Sequence, residues 1–326
     1  MTATLNAWSI QSYGAPDQLR PVTQPLPAPG PHEILIRIHA SAVTRADGMM
    51  RAGKPLFARP FLGFRRPRRN LSGTGLSGVV IAAGANVRRF AAGDAIFGEA
   101  GLRFGANASH ILLEETGVLM KKPEALTHEE AAVMCDGPLT SYHFLHRLVR
   151  IRPGQRILIL GGAGSLGTAA VQIAKAAGAH VTATCSTRNA AFVTDLGAER
   201  IIDYTEEDYT QSAQQFDIIF DTIGISSFGQ ARPRLTEDGD YICPVLTLPL
   251  LGAMLASRFF GRRRARFAAA GLQSPDLLRA HLETLIDMAE KGELSPVLDR
   301  VYPLSDLVEA HRHMETGHKR GNVVVV

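Results

Sequence analysis

Apolar residues dominate Glu33-Ile34-Leu35-Ile36-Arg37-Ile38-His39-Ala40 with partial alternation, and Gly78-Val79-Val80-Ile81 follows a glycine-dense loop. Both read as strands, and proline-rich segments such as Pro25 to Pro31 punctuate the runs. The chain up to about Lys122 therefore predicts a β barrel or curled sheet. At Thr127-His128-Glu129-Glu130 a capping-box pattern precedes an apolar run, so a helix is expected to start there. From Arg156 onward the signals alternate. Strands are expected at Arg156 to Leu160, His180 to Thr184, Arg200 to Asp203, Phe216 to Phe220 and Tyr241 to Val245, with helices from Ser165, Asn189, Glu206 and Ser226. Such alternation predicts parallel strands joined by right-handed crossovers in one doubly wound sheet. Arg264 to Ala270 then reads as an edge strand, Pro275 to Lys291 as a helix and Asn322 to Val326 as a last strand. The closing valine run needs a sheet to bury it, and the β-rich first part is the expected host. The α/β part becomes an insertion.

Ile157-Leu158-Ile159-Leu160 runs directly into Gly162-Ala163-Gly164-Ser165-Leu166-Gly167. A GxGxxG between strand and helix meets three demands of dinucleotide binding: a tight turn at the first glycine, close backbone approach to the pyrophosphate at the second, and helix-to-strand packing at the third. The helix N-terminus adds unpaired N–H groups and the positive end of its dipole. Selection between dinucleotides falls at the end of the next strand, about 20 residues on, where NADH sites place a carboxylate. Here the chain reads Thr184-Cys185-Ser186-Thr187-Arg188-Asn189, without one. Two hydroxyls and a guanidinium suit the dianionic 2′-phosphate of NADPH. A plainer reading, with Ser186 capping a helix and Arg188 solvated, is compatible with the same residues. NADPH is expected over NADH.

A length of 326 residues fits two domains better than one core. The formal charge of +4 gathers in two runs, Arg65-Arg66-Pro67-Arg68-Arg69 and Arg262-Arg263-Arg264-Ala265-Arg266. These read as solvated or anion-facing segments, and nucleic acid is not the expected partner. Cys135, Cys185 and Cys243 are too far apart for a metal motif or a disulfide framework, which fits a reducing cytoplasm. The N-terminal segment lacks a signal-peptide pattern. Tyr241 to Ser257, an uncharged stretch, is short and interrupted by Pro244, Pro249 and Gly252, so a membrane span is not expected.

Several spaced motifs resemble the medium-chain dehydrogenase/reductase superfamily, in its zinc-independent quinone oxidoreductase branch. They are Gly93-Asp94-Ala95-Ile96-Phe97-Gly98, Pro138-Leu139-Thr140-Ser141-Tyr142, Pro153-Gly154, the glycine turn, Leu196-Gly197-Ala198, Ile202-Asp203-Tyr204, Phe220-Asp221-Thr222-Ile223-Gly224 and Gly317-His318-Lys319-Arg320-Gly321. The resemblance covers nearly the whole chain. It implies an α/β protein with a GroES-like β-rich catalytic domain (residues 1–122 and 273–326), a Rossmann domain with a doubly wound parallel sheet (residues 123–272), and cofactor between them. It also implies that Thr44 and Thr140 approach the nicotinamide, that Tyr204 lies by the adenosine phosphate, and that Val245 and Leu246 follow the fifth strand beneath the nicotinamide. Asn322 falls where the family often has Lys, and Thr44 where it often has Asn. Ser186, Thr187 and Arg188 match the branch's 2′-phosphate pattern.

Zinc-dependent relatives carry a Gly-His-Glu segment where this chain reads Gly73-Thr74-Gly75-Leu76-Ser77-Gly78, and a Cys within Val43-Thr44-Arg45-Ala46-Asp47. Neither ligand is present, and no cysteine precedes Cys135, so the resemblance implies no zinc. His143 and His146 read as packing or surface residues.

Without a Lewis acid, a conjugated acceptor eases the demand on oxyanion stabilisation. Hydride transfer from NADPH to a small hydrophobic quinone or α,β-unsaturated carbonyl is expected, with the proton drawn from water or from a side chain such as Thr44, Asp47 or Tyr142. Two other readings stay open: a zinc-independent alcohol or aldehyde reductase, and a cofactor-binding structural or RNA-binding protein. The Leu-rich then Arg-rich segment 249–266 is read as a pocket roof, part of a homodimer interface or a membrane contact. A homodimer is expected and membrane association is not.

Overall fold

The structure, a computed structural model, describes residues 3–54, 56 and 59–326. It divides into two compact units, one running to Asp136 and adding Ser274–Ile286 and Leu298–Val326, the other made of Gly137–Gln273 and Asp287–Val297.

The first unit begins with an antiparallel pair, β1 (Thr4–Ile10) and β2 (Leu19–Pro25). It continues through β3 (Glu33–Val43), α1 (Arg45–Ala52), α2 (Arg59–Leu62), β4 (Gly75–Ala83), β5 (Ala95–Glu99), β6 (His110–Glu114), β7 (Val118–Lys121) and α3 (His128–Val133). Thr127 and Glu130 form the expected capping box: the Thr127 hydroxyl accepts the Glu130 N–H, and the Glu130 carboxylate accepts the Thr127 N–H. Such a cap contributes about 1 kcal/mol to its helix.

The second unit holds α4 (Gly137–Tyr142), which runs on into a π-helical turn (His143–Leu148), then β8 (Arg156–Leu160), α5 (Ser165–Ala176), β9 (His180–Cys185), α6 (Ala190–Asp195) and β10 (Arg200–Asp203). After these come β11 (Phe216–Asp221), α7 (Phe228–Ala231), β12 (Leu235–Ile242), α8 (Leu248–Phe259) and β13 (Arg264–Arg266). The six strands lie parallel in the order β10-β9-β8-β11-β12-β13. Counted from β8 this is 3-2-1-4-5-6, the doubly wound order, with its switch point between β8 and β11. Ile157, Leu158, Ile159 and Leu160 are each 0% exposed, because helices cover both faces of a parallel sheet. Each contributes about 1.5–3 kcal/mol of burial.

The chain closes with α9 (Pro275–Glu290), β14 (Leu298–Tyr302), α10 (Leu307–Glu315) and β15 (Asn322–Val325). β15 joins the seven-stranded sheet of the first unit, antiparallel to β3 and parallel to β14, and buries its valines there as the sequence predicts. Among the described residues, no helix is long and apolar enough to cross a membrane.

Several expectations need correction. The boundary expected at residues 122/123 lies at Asp136/Gly137, because α3 buries Ala132 and Val133 against Ala40, Ala42 and Val324 of the first unit. The second unit also claims Asp287–Val297, where Gln172 on α5 donates to the Ser295 carbonyl and accepts its N–H. No helix forms from Glu206. Asp203 takes the Thr205 N–H and hydroxyl, Asp208 takes those of Thr210, and these side-chain bonds hold turns instead. β12 spans Leu235–Ile242 and ends before Val245, while the edge strand stops at Arg266 rather than Ala270. Residues 249–263, given no element from sequence, are largely α8, started by Thr247 accepting the Leu250 N–H.

Candidate functional site

The glycine turn sits at the switch point of the second unit. Its left-handed residue is Gly161, at φ +82°, not Gly162 as the motif predicts. A Cβ on Gly161 would stand 3.0 Å from the Thr222 hydroxyl, which donates to the Leu160 carbonyl at 2.7 Å. The turn therefore nests against the loop after β11.

The other three glycines separate by what surrounds them. A Cβ on Gly162 would lie 2.9 Å from Cβ of Ala183, and one on Gly167 only 2.0 Å from the Gly161 carbonyl, so both are demanded by the chain's own packing. Gly164 differs: its Cβ would meet nothing nearer than the Gly161 carbonyl at 3.5 Å. Gly164 occupies the N-cap of the 12-residue α5, with Ala163 buried before it and Ser165 and Leu166 in the first turn. N–H groups in that turn lack carbonyls four residues back, and they carry the positive end of the helix dipole. A half-buried glycine with room above it, beside such a terminus, fits a pyrophosphate.

Thr140 and Tyr142 belong to this unit. Thr140 is half-buried on α4, whose neighbouring Ser141 donates to the Leu166 carbonyl at 2.9 Å. A Cβ on Gly137 would lie 2.4 Å from the Ser165 carbonyl, so the start of α4 abuts the start of α5. Tyr142 stacks on His146 with ring centroids 4.4 Å apart. Val245 and Leu246 follow β12, half-buried, and Val245 Cβ would stand 3.0 Å from a Cβ on Gly224. The loops after β11 and β12 thus close on each other.

Asp221, quoted only within a motif in the sequence, organises that region. It is 0% exposed at the end of β11. Its Oδ1 accepts the N–H groups of Ile223 (3.3 Å), Gly224 (2.7 Å) and Ile225 (3.2 Å), and its Oδ2 accepts Ser226 N–H (2.8 Å) and the Tyr241 hydroxyl (2.9 Å). Burial, with Asp221 alongside, holds the Tyr241 phenol protonated.

Ser186, Thr187 and Arg188 follow β9 as the sequence places them. Ser186 stands at the N-cap position of a short 3₁₀ turn, but its side chain makes no capping bond. Thr187 and Arg188 are exposed, as is Tyr204, whose N–H donates to the Cys185 carbonyl at 3.2 Å. Thr187 donates its hydroxyl to Asp203, a residue that sequence reasoning left without a role.

Thr44, Asp47 and Asn322 belong to the first unit, and all three are buried. Asp47 accepts the Thr44 N–H (2.9 Å) and hydroxyl (2.8 Å), forming the cap of α1, and Thr74 lies 3.5 Å away. Burial pushes the Asp47 pKa up to about 6, and Asp136 adds repulsion. Glu99 is lifted further, to about 7, by burial and by Asp136 and Asp47. Lys319 is lowered by burial despite Asp136 and Asp299. Glu99, Asp136 and Lys319 escaped sequence reasoning, since each comes from a different element. Among the described residues, no three His, Cys, Asp or Glu side chains are grouped as metal ligands.

The second basic run is not a free cationic surface. Arg262 pairs with Asp238 and Glu237, Arg266 with Asp240, and Arg263 and Arg264 donate to main-chain carbonyls. Beside it, α8 and the residue after it expose Leu248, Leu251, Leu255, Phe259 and Phe260, each at least 51%.

Residues 30–124 match the alcohol dehydrogenase GroES-like domain, and residues 196–325 match the zinc-binding dehydrogenase family. The mitochondrial NAD(P)H oxidoreductase RTN4IP1 of Mus musculus is 29% identical over 366 residues, covering 99% of this chain and 89% of that protein. A 2-methylene-furan-3-one reductase of Solanum lycopersicum is 29% identical, covering 98% of this chain and 79% of that one. Among solved structures, the quinone oxidoreductase from Coxiella burnetii superposes with a TM-score of 0.87 at 28% identity, covering 99% of both chains.

Proposed function

We propose that the chain, a member of the medium-chain dehydrogenase/reductase superfamily, is a zinc-independent, NADPH-dependent reductase of quinones or α,β-unsaturated carbonyls. That it is an oxidoreductase using a nicotinamide cofactor is the broader fact. The observation that carries the dinucleotide assignment is the contrast at the glycine turn. Gly162 and Gly167 are glycine because the chain crowds them, whereas a Cβ on Gly164, at the N-terminus of α5, would make only an ordinary contact with the Gly161 carbonyl.

When bound, the cofactor supplies a hydride from C4 of its nicotinamide. The chain's own contribution is to hold it. Ala163, Gly164, Ser165 and Leu166 would carry the pyrophosphate on backbone N–H groups. Ser186 and Arg188 would face the 2′-phosphate, with Tyr204 beside the adenosine. The loops carrying Gly224, Val245 and Leu246, fixed by Asp221, would hold the nicotinamide end, together with Thr140. Thr44 and Asn322 are proposed on that side too. Water is the proposed proton source: Asp47 is engaged in capping α1 and Tyr142 is stacked on His146. The conjugated acceptor is supported by the activities of the tomato and Coxiella relatives and by the absence of zinc-ligand residues around Thr44 and Thr74.

A homodimer belongs to the same proposal. Among the described residues β13 is paired on one edge only, and the α8 stripe beside it is apolar. An open edge next to exposed leucines invites a second copy. A cytoplasmic location is supported by three buried cysteines, none of them in a disulfide.

The test is NADPH oxidation against a panel of quinones, enones and simple aldehydes, with NADH and a chelator in parallel. Chelator-insensitive turnover of quinones or enones is expected. Turnover of simple aldehydes alone would favour the alcohol or aldehyde reductase reading, and chelator-sensitive activity would overturn zinc independence.

A further inference from the structure

The end of β9 lacks the carboxylate that would receive a ribose 2′-hydroxyl, yet the fold brings one in from the next strand. β10 pairs with β9 in parallel register, with Asp203 opposite Cys185, so that Asp203 stands beside the segment that follows Cys185. Its Oδ2 accepts the Thr187 hydroxyl at 2.5 Å, and its Oδ1 accepts the Thr205 hydroxyl at 2.7 Å and N–H at 3.0 Å. Every partner donates to it, so Asp203 is held as a carboxylate.

Two consequences follow for a ligand at this corner. The Thr187 proton is committed to Asp203, which leaves Thr187 Oγ1 as an acceptor. A dianionic 2′-phosphate has only acceptor oxygens and gains nothing from that atom. It also meets a fixed negative charge, set against the attraction of Arg188. An unphosphorylated ribose behaves differently, because its 2′-hydroxyl can donate to Thr187 Oγ1 or to the carboxylate itself.

From this the geometry points to Asp203 as a selectivity residue that restrains the preference for NADPH and lets the chain accept NADH as well. The inference rests on the dinucleotide reading above and sharpens it: Arg188 draws the phosphorylated cofactor in, and Asp203 limits the advantage.

Asp203→Asn tests it. The substitution is isosteric, and its amide oxygen still accepts from Thr205. A unit charge about 6 Å from a dianion in a water-like dielectric changes affinity by about tenfold at low salt. Calorimetric titration of the parent and the variant with NADPH, NADH, 2′,5′-ADP and 5′-AMP gives the readout. NADPH and 2′,5′-ADP should bind the variant about tenfold more tightly, with NADH and 5′-AMP unchanged or weaker. The gain should shrink to about twofold in 0.5 M salt, where the screening length falls below about 5 Å. Asp203→Ser, which also removes the charge, should move the ratio the same way. A role confined to holding the loop would weaken all four ligands together, and that outcome overturns the inference. So does an unchanged NADPH-to-NADH ratio. If the parent binds neither dinucleotide, the dinucleotide reading itself fails and takes the inference with it, an outcome visible before any variant is made.

Discussion

Asp221→Asn gives the sharpest test of how the switch-point loops are held. The carboxylate accepts five bonds in a fully buried setting, three on Oδ1 and two on Oδ2. Asparagine keeps an oxygen for the first three but turns an amide NH₂ toward the Ser226 N–H and the Tyr241 hydroxyl. Tyr241 can rotate and accept; Ser226 N–H cannot, and a buried orphan donor costs about 1–3 kcal/mol. Three charge-assisted bonds become neutral ones at about half the strength. Relief from burying a charge offsets part of this, leaving a net loss of about 3 kcal/mol. For a unit of this size that corresponds to a fall of about 10 °C in its melting transition. Tyr241→Phe removes one donor and keeps the charge, so it should cost only about 1–2 kcal/mol. The double variant should lose less than the sum, because the misplaced hydroxyl is gone. Scanning calorimetry reads all three. The reasoning is refuted if Asp221→Asn melts within about 1 kcal/mol of the parent, or if Tyr241→Phe costs as much as Asp221→Asn.

Further expectations concern the glycine turn, the buried acids and the α8 stripe. Gly164→Ala should leave stability within about 0.5 kcal/mol yet weaken NADPH binding at least about tenfold by titration, whereas Gly167→Ala should unfold the turn and lose both. Glu99 titrates near 7 in the fold against an ordinary 4.5, so the native state binds the extra proton and stability falls as pH rises between those values. The loss by pH 8 is about 3 kcal/mol, and Glu99→Gln should flatten that part of a denaturation series from pH 4 to 8. Leu255→Arg on the exposed face of α8 should convert a dimer to monomer in light scattering without altering the melting of the monomeric unit by more than about 0.5 kcal/mol.

The parts of the molecule that the sequence revealed are those where local pattern and tertiary role coincide. Arg156–Leu160 and the valines of β15 are buried strands and Arg200–Asp203 an edge strand, all flanked by turn residues, and the chain needs no distant partner to declare them. Thr127 and Glu130 announced a helix because both halves of the cap lie within four residues. Elsewhere local signals misled. Thr236-Glu237-Asp238-Gly239 has the composition of a turn but runs inside β12, where it bulges opposite Asp217 between the paired residues Leu235 and Asp240. Glu206 and Glu207 favour a helix, but Asp203 and Asp208 capture the nearby donors first. At the site, the glycine turn was legible as a motif, though its left-handed residue lies one position earlier. Asp203 and the group formed by Glu99, Asp136 and Lys319 were not legible. Their meaning comes from neighbouring strands and segments far apart in the chain.

The pairing of β15 with β3 also has a kinetic consequence. Val323 lies opposite Val43, about 280 residues away along the chain, whereas the strands of the second unit's sheet come from one continuous stretch. Loop closure over that span is slow, and pairings of high sequence separation form late. During synthesis the sheet built on β3 must therefore wait, one edge uncovered, while the inserted α/β unit is made and folds. Chaperone dependence in the cell should then concentrate on the first unit, and a chain stopped before Asn322 should aggregate through β3 even though its α/β unit is complete.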